Sequence, residues 1–288
     1  MSEQRIPDRV GVLGGGRMGG GIAHAFLIAG AAVTVVERDD AAADAARERI
    51  ERDLEASLTR GVIDGDLAEW AGRLTLSTDR AAFADCGLVV EAVPEDEALK
   101  IAALADVERH LSPDAWLGSN TSSISIDALA GHLERPERFL GLHFFNPVPA
   151  SKLVEVVIGG STDDSARETA AGWVRAIGKT PVVVADAPGF ASSRLGVAIA
   201  LEAIRMVEEG VASPADIDAA MELGYRHPAG PLRTTDIVGL DVRLGIAEYL
   251  HEHLGDRFAP PQLLRDMVAR GDLGRKTGRG FYDYTDER

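Results

Sequence analysis

Six of the eight residues from Gly14 to Gly21 are glycine, in the sequence GGGRMGGG. Glycine loses more backbone freedom on folding than any other residue, so a run of this density needs a structural reason. The run follows an apolar segment, Arg9–Gly14, that predicts a β-strand, and it precedes a segment with helical periodicity, Met18–Ala29. A turn of this kind lets a ligand or a neighbouring element approach the backbone closely.

The run contains the pattern G-x-G-x-x-G, made by Gly14, Gly16 and Gly19 with Arg17 and Met18 between the last two. Between a strand and a helix, the first glycine makes the tight turn and the second lets a pyrophosphate reach the backbone. The third lets the helix pack closely against the strand. The N-terminus of the helix then offers unpaired N–H groups and a partial positive charge to the phosphates. These five residues are therefore the predicted phosphate-binding part of a dinucleotide site.

An acidic residue ends the next predicted strand, Ala32–Glu37, and lies 23 positions after Gly14. At that distance a carboxylate binds the ribose hydroxyls of the adenosine half of the dinucleotide. It also repels a 2′-phosphate, so Glu37 favours NAD over NADP. Arg38 keeps NADP open as an alternative, and a glycine-rich turn without any ligand is the other alternative.

Strand and helix signals alternate through the first two thirds of the chain, which is typical of a mostly parallel sheet covered on both faces. Further strands are predicted at Leu88–Val93, Trp116–Ser119, Phe139–Phe144 and Leu153–Ile158, and helices at Ala41–Thr59, Ala98–His110 and Ile126–His132. After Asp186 the periodicity is almost entirely helical, with helices predicted at Ser193–Glu209, Pro214–Leu223, Gly239–Leu254 and Pro261–Arg270. We therefore predict an α/β, Rossmann-like domain over residues 1–186 and an all-α domain over residues 187–288.

The composition restricts the partners and the compartment. The net charge is −16, which disfavours nucleic acid and anionic membranes as partners. The single cysteine, Cys86, excludes an internal disulfide and a thiolate zinc site and fits a reducing compartment. The polar N-terminal sequence MSEQRIPDR does not resemble a leader peptide. We expect a cytoplasmic protein without a bound metal.

Four polar motifs lie at the ends of predicted strands or just beyond them, where open parallel sheets bind their ligands. They are EAVPEDEALK (91–100), SNTSS (119–123), HFFNPVPASKLVEVV (143–157) and DAPGF (186–190). His143 and Glu155 are the most informative pair among them. A histidine exchanges protons near neutral pH, and a carboxylate on its second nitrogen fixes the tautomer and stabilises the imidazolium. A nicotinamide dehydrogenase needs such a base to remove the proton of the alcohol that it oxidises.

With these motifs in place, the chain resembles the L-3-hydroxyacyl-CoA dehydrogenases, in particular the short, single-function 3-hydroxybutyryl-CoA type. The resemblance extends over nearly the whole chain. It is carried by GGGRMGGGIAHAFLIAG, EAVPED, SNTSSISI, GLHFFNPVPASKLVEVV, PGF, GPLRTTDIVGLD and GRKTGRGFYDY. It implies an NAD-dependent enzyme that interconverts L-3-hydroxyacyl-CoA and 3-oxoacyl-CoA and forms a homodimer through its C-terminal domain.

The resemblance also implies residue roles. His143 would be the catalytic base in oxidation and the acid in reduction, paired with Glu155, and Ser122 would donate a hydrogen bond to the substrate oxygen close to the nicotinamide. Contacts with NAD would come from Glu95, Lys100 and Asn146. Two alternatives stay open here: Lys100 could be a solvated helix residue, and Ser122 could cap a helix.

Two departures from the family pattern concern the substrate. Ser193 stands after PGF where the family has an asparagine close to the substrate, and a serine has fewer hydrogen-bonding groups. Asp53 stands where the family has a serine that contacts the CoA nucleotide, whereas Arg60 keeps the basic end of that segment. These changes leave a second enzyme class open, a dehydrogenase of a free hydroxy acid or sugar acid such as the gulonate dehydrogenases. A non-catalytic dinucleotide-binding protein is the remaining alternative.

Overall fold

The computed structural model describes residues 5–285 and divides into two compact units, Met1–Ala187 and Pro188–Arg288. The first four residues of the N-terminal sequence, on which the prediction about a leader rests in part, lie outside the described residues. No helix within residues 5–285 is long and apolar enough to cross a membrane.

The first unit is built on one eight-stranded sheet. Its strands are β1 (Arg9–Leu13), β2 (Ala32–Val36), β3 (Leu74–Ser77), β4 (Leu88–Glu91), β5 (Trp116–Ser119), β6 (Phe139–Phe144), β7 (Leu153–Ile158) and β8 (Thr180–Ala185). The spatial order is β3-β2-β1-β4-β5-β6-β7-β8. All neighbouring strands are parallel except β6 and β7, which are antiparallel. The prediction of a Rossmann-like, mostly parallel sheet is confirmed.

The sheet core forms because the central strands are apolar on both faces, as expected for parallel strands covered by helices on both sides. Val10, Val12, Leu88 and Val90 have no exposed surface. The helices of this unit are α1 (Arg17–Ile28), α2 (Asp40–Thr59), α3 (Leu67–Ala71), α4 (Glu97–Glu108), α5 (Ile126–Ala130) and α6 (Ala166–Ala176). The chain leaves β1 toward β2 on one side, whereas β4 lies on the other, so the order reverses at β1. Ligands of open α/β sheets bind beyond the carboxyl ends of the strands at such a point.

The second unit is helical. Its helices are α7 (Ser192–Glu208), α8 (Pro214–Tyr225), α9 (Pro231–Val238), α10 (Leu240–Leu254) and α11 (Gln262–Arg270). The buried Asp218 carboxylate accepts hydrogen bonds from the backbone N–H groups of Leu232 and Arg233, at 2.8 and 2.9 Å, and so satisfies the start of α9. Asp236, also buried, accepts from Phe281 and Tyr282, and burial raises the pKa of its carboxyl. These two carboxylates hold α9 and the C-terminal segment in place.

Several elements were missing from the sequence prediction: β3, β8, α3, α6 and α9. The predicted strand Leu88–Val93 ends earlier, at Glu91. Glu91 is thus the last residue of the central strand β4, and Val93 lies in the following loop. By contrast, β5, β6 and β7 have the predicted bounds.

Candidate active site

The glycine loop brings β1 and α1 very close together. Gly14 has a φ of +89°, a conformation that glycine adopts without strain, and its N–H donates to the Val36 carbonyl at 2.9 Å. A Cβ placed on Gly19 would lie 1.7 Å from the Gly14 carbonyl oxygen. The first turn of α1 can therefore pack on the loop only if residue 19 has no side chain.

The start of α1 is open to a ligand. Gly16 is the N-cap of α1, and no side-chain hydrogen bond caps the helix at this residue. A Cβ built on Gly16 would meet no atom within 4 Å. Gly16 and Arg17 are exposed, and Met18 is half-buried. The start of the helix is thus open on the side of Gly16, which fits a pyrophosphate group.

Glu37 is fixed beside this loop. Its Oε1 accepts a hydrogen bond from the backbone N–H of Gly15 at 2.6 Å, and its Oε2 accepts from the N–H of Arg38 at 3.2 Å. Arg49, which the sequence analysis did not identify, donates from Nη1 to the Gly15 carbonyl at 2.8 Å. The residue that would bind the ribose is therefore tied to the backbone that would bind the phosphates.

His143 and Glu155 lie directly opposite each other on the antiparallel strands β6 and β7. Paired residues of antiparallel neighbours project to the same face of the sheet, so the two side chains meet. Nδ1 of His143 lies 2.8 Å from Oε2 of Glu155. Glu155 has no exposed surface and His143 is 6% exposed. A buried carboxylate needs a partner of this kind, and this contact fixes which ring nitrogen of His143 faces Glu155.

The loop after β5 is organised by Glu95. Its Oε1 lies 2.7 Å from Oγ1 of Thr121, 2.8 Å from the backbone N of Ser122 and 3.2 Å from the backbone N of Ser123. The Ser122 hydroxyl also donates to it at 3.1 Å. The alternative that Ser122 caps a helix is wrong, because the N-cap of α5 is Ser125. Two of the predicted site residues, Glu95 and Ser122, are therefore in direct contact.

Lys100 is buried in the same region, with 1% of its surface exposed, so the alternative of a solvated helix residue is wrong. Its Nζ lies 2.7 Å from Oε1 of Glu91 and 3.4 Å from Oε2 of Glu95, and it donates to the Val93 carbonyl at 3.1 Å. The sequence analysis did not identify Glu91, which is fully buried at the end of β4.

One further contact joins this loop to the histidine strand. Oδ1 of Asn120 accepts a hydrogen bond from the backbone N–H of Phe144 at 2.8 Å, next to His143. The sequence analysis included Asn120 in the SNTSS motif without assigning it a role. Asn146 follows in an exposed position, with a cis peptide bond to Pro147.

The remaining predicted residues are on α7 of the second unit and on α2 of the first. Ser193 is half-buried in the first turn of α7, in the second unit. Arg60 is the exposed C-cap of α2, and the half-buried Asp53 lies two turns before it on the same helix. Among the described residues, no group of three or more His, Cys, Asp and Glu side chains could hold a metal ion.

A glycine loop at a helix start, an acidic residue just after the second strand and a buried His–Glu pair are typical of a nicotinamide-dependent dehydrogenase of the Rossmann class. Residues 9–187 match the family described as "3-hydroxyacyl-CoA dehydrogenase, NAD binding domain", and residues 189–284 match "3-hydroxyacyl-CoA dehydrogenase, C-terminal domain". The chain belongs to the 3-hydroxyacyl-CoA dehydrogenase family, and its first unit contains the NAD-binding domain. The predictions of the family and of NAD as the cofactor are confirmed.

Similar proteins support this membership over nearly the full length. A 3-hydroxybutyryl-CoA dehydrogenase of Mycobacterium tuberculosis is 45% identical over 281 residues, covering 96% of this chain and 98% of that protein. A probable 3-hydroxybutyryl-CoA dehydrogenase of Deinococcus radiodurans is 43% identical, with 96% and 100% covered. The crystal structure of (S)-3-hydroxybutyryl-CoA dehydrogenase from Ralstonia eutropha superimposes with a TM-score of 0.93 at 37% identity, covering 97% of this chain and 99% of that one.

Substitutions of Gly16 and Gly19 test cofactor binding and protein stability separately. The Gly16→Ala variant should fold, since its added Cβ meets no atom, and its stability should change by less than about 1 kcal/mol. Its methyl group would fill the space in front of α1, so NADH should bind about tenfold more weakly. The Gly19→Ala variant should lose both affinity and about 1–3 kcal/mol of stability, because its Cβ strikes the Gly14 carbonyl. NADH titration by fluorescence and thermal unfolding measure the two effects. Unchanged NADH affinity in Gly16→Ala would contradict the assignment of the phosphate site.

Proposed function

We propose that this enzyme oxidises short or medium L-3-hydroxyacyl-CoA thioesters, such as 3-hydroxybutyryl-CoA, to 3-oxoacyl-CoA, and catalyses the reverse reduction. The observation that carries the proposal is the buried His143–Glu155 pair, at 2.8 Å, on a chain that belongs to this family. The names of the similar proteins supply the substrate class.

His143 moves the proton in this proposal. During oxidation its Nε2 takes the proton of the substrate 3-hydroxyl group, and during reduction it returns a proton to the developing alkoxide. Glu155 holds Nδ1, which keeps the ring in one tautomer and stabilises the imidazolium while it carries the proton. NAD, when bound, supplies the hydride acceptor for oxidation and the hydride donor for reduction.

Ser122 orients the substrate oxygen in this proposal. A hydroxyl group has one proton and rotates to the better acceptor. The Ser122 hydroxyl can therefore turn from Glu95 to the substrate oxygen, while Glu95 keeps the backbone donors of Ser122 and Ser123. Glu95 and Asn146 contact the cofactor, and Ser193, as the counterpart of the family asparagine, hydrogen-bonds the thioester or keto oxygen. Arg60 contacts the CoA nucleotide. The cytoplasm is the proposed compartment.

Ser193 and Asp53 favour a second candidate, a dehydrogenase that acts on a free hydroxy acid or sugar acid. The Asp53 carboxylate adds a negative charge near the segment that would face a phosphorylated CoA nucleotide. A non-catalytic NADH-binding protein is the third candidate, which the buried His143–Glu155 pair disfavours, since a binding protein has no need for a proton-transferring group.

Turnover with matched substrates separates these candidates. Oxidation of NADH is followed by its absorbance with acetoacetyl-CoA and, beside it, with free acetoacetate, and both assays are repeated with NADPH. We expect turnover of the thioester only, and a strong preference for NADH because the Glu37 carboxylate repels a 2′-phosphate. Turnover of free acetoacetate alone would support the hydroxy-acid candidate. NADH binding without turnover of either compound would contradict the proposed substrate class.

We also propose that the second unit forms a homodimer. Its helices expose several large apolar side chains, among them Leu195 (63%), Ile199 (38%), Ile237 (56%), Val238 (40%) and Val242 (44%). Leu195 and Ile199 are four residues apart on α7 and thus share one helix face. A second copy that covers such a face removes its apolar surface from water.

Aspartate residues introduced on this helix face test the proposed dimer. The Leu195→Asp/Ile199→Asp variant should elute as one chain mass in size-exclusion chromatography with light scattering, whereas the unmodified chain should have twice that mass. Val62→Asp is the matched control, because Val62 is 61% exposed in the first unit. A monomeric unmodified chain would contradict the proposal, and so would a Val62→Asp variant that dissociates as readily.

A further inference from the structure

We propose that Lys179 is a positioning residue of the active site, which holds the loop between β6 and β7, residues 145–152, against the cofactor helix α1. Lys179 acts on the cofactor through this loop, which carries Asn146. The inference rests on the role proposed above for Asn146.

The direction of β7 and β8 brings Lys179 to the edge of the sheet where β6 ends. β7 runs antiparallel to β6, and β8 runs parallel to β7. A residue that directly precedes β8 therefore lies at the carboxyl end of β6, where the ligands of such sheets bind. Lys179 is that residue, and the N–H of Thr180 donates to the Lys152 carbonyl at 2.6 Å. Lys179 is thus beside the 145–152 loop, which begins two residues after His143.

The Lys179 ammonium holds two carbonyl groups of this loop. Its Nζ donates to the carbonyl of Val148 at 2.6 Å and to the carbonyl of Ser151 at 2.5 Å. Lys179 is half-buried, and burial lowers the pKa of its amine, with no carboxylate of the described residues to offset that shift. Hydrogen bonds from a charged donor are stronger than those between neutral groups. These two contacts therefore fix the path of the loop between Val148 and Ser151.

The loop packs on α1 at Val148. The Val148 side chain is 2% exposed and belongs to the core of the first unit. A Cβ built on Gly21 would lie 2.7 Å from Cβ of Val148, so Val148 fits against α1 only because residue 21 has no side chain. Gly21 lies in the second turn of α1, and the first turn begins at the glycine loop. Lys179 holds the carbonyl of the same residue that meets α1, and so ties the loop to the cofactor helix.

Asn146 is the residue through which this arrangement acts on the cofactor. It is exposed and lies between two fixed points of the chain. On one side Phe144 is paired with Val154 in the sheet, and on the other side Val148 is held by Lys179. Without Lys179 the second fixed point is weakened, and the loop has to be ordered when the cofactor binds. That ordering lowers the affinity.

A double-mutant cycle on NADH affinity tests whether Lys179 acts through Asn146. NADH binding is measured by fluorescence without a substrate, at a temperature at which thermal unfolding shows each variant to be folded. Lys179→Met and Asn146→Ala should each weaken NADH binding about tenfold. In the Asn146→Ala background, Lys179→Met should add less than about twofold, because the side chain through which it acts is already removed. Equal losses from Lys179→Met in both backgrounds would overturn the proposal, and so would an unchanged affinity in Lys179→Met.

Steady-state kinetics supply a readout that a loss of stability alone would not change. Lys179→Met should raise the KM for NADH about tenfold, whereas kcat with acetoacetyl-CoA at saturating NADH should stay within about threefold. This split is expected because strand pairing, and not the loop, sets His143 opposite Glu155. A lower kcat with an unchanged KM for NADH would contradict the positioning role.

A second variant displaces the loop while Lys179 stays in place. In Gly21→Ala the added Cβ strikes Val148, so the loop has to move away from α1, and NADH binding should weaken to a similar extent. This variant keeps the proposal testable if Lys179→Met does not fold. An unchanged NADH affinity in Gly21→Ala would overturn the proposal.

Arg135→Met is the matched control. Arg135 also donates to two backbone carbonyls, those of Ser112 at 2.7 Å and Glu108 at 2.8 Å. It precedes β6, however, and therefore lies at the opposite edge of the sheet. Arg135→Met should lower the melting temperature without changing NADH affinity. A loss of NADH affinity equal to that in Lys179→Met would overturn the proposal.

NADH affinity is measured without a substrate, so the cycle does not depend on the proposed thioester. Absence of turnover with acetoacetyl-CoA in the unmodified chain would contradict the proposed function. Additive losses of NADH affinity would contradict the positioning role alone, and an unchanged affinity in Asn146→Ala would contradict the role of Asn146 together with the inference that rests on it.

Discussion

The hydrogen bond between His143 and Glu155 connects the topology of the sheet to its chemistry. It exists because β7 runs antiparallel to β6, which sets residue 143 opposite residue 155 on one face. Glu155 is completely buried, so its charge requires this partner. Nδ1 of the histidine thereby faces Glu155, and this contact holds the ring in one orientation near the end of β6.

Three other carboxylates, at or just after the carboxyl ends of strands, also hold neighbouring groups in place by hydrogen bonds. Glu37 accepts from the Gly15 backbone, Glu95 gathers the serine loop, and Glu91 joins two strand ends to Lys100. Each one is held by backbone N–H groups, hydroxyls or an ammonium group. In a chain with a net charge of −16, an anionic cofactor must be bound by local donors, and these contacts keep those donors in place.

The sequence allowed much of the fold to be predicted, because the central strands are continuous apolar runs bounded by turn residues. The missed elements are weaker patterns: β8 contains Pro181 and lies at the sheet edge, and β3 is a four-residue edge strand. The antiparallel direction of β7 also leaves no trace in its composition. In the site, Glu95, Ser122, His143 and Glu155 were predicted from motifs that follow strands and from the family resemblance that these motifs carry. Glu91 and Arg49 were missed, because their partners are remote in the sequence or are backbone atoms.

The most direct test of the account is the His143→Ala variant, measured for both turnover and NADH binding. General acid–base catalysis contributes about 10²–10⁴-fold, so turnover of acetoacetyl-CoA should fall by that factor while the dissociation constant for NADH stays the same. Turnover close to that of the unmodified chain would contradict the account. So would a collapse of NADH binding, because His143 would then serve the cofactor site and not the proton transfer.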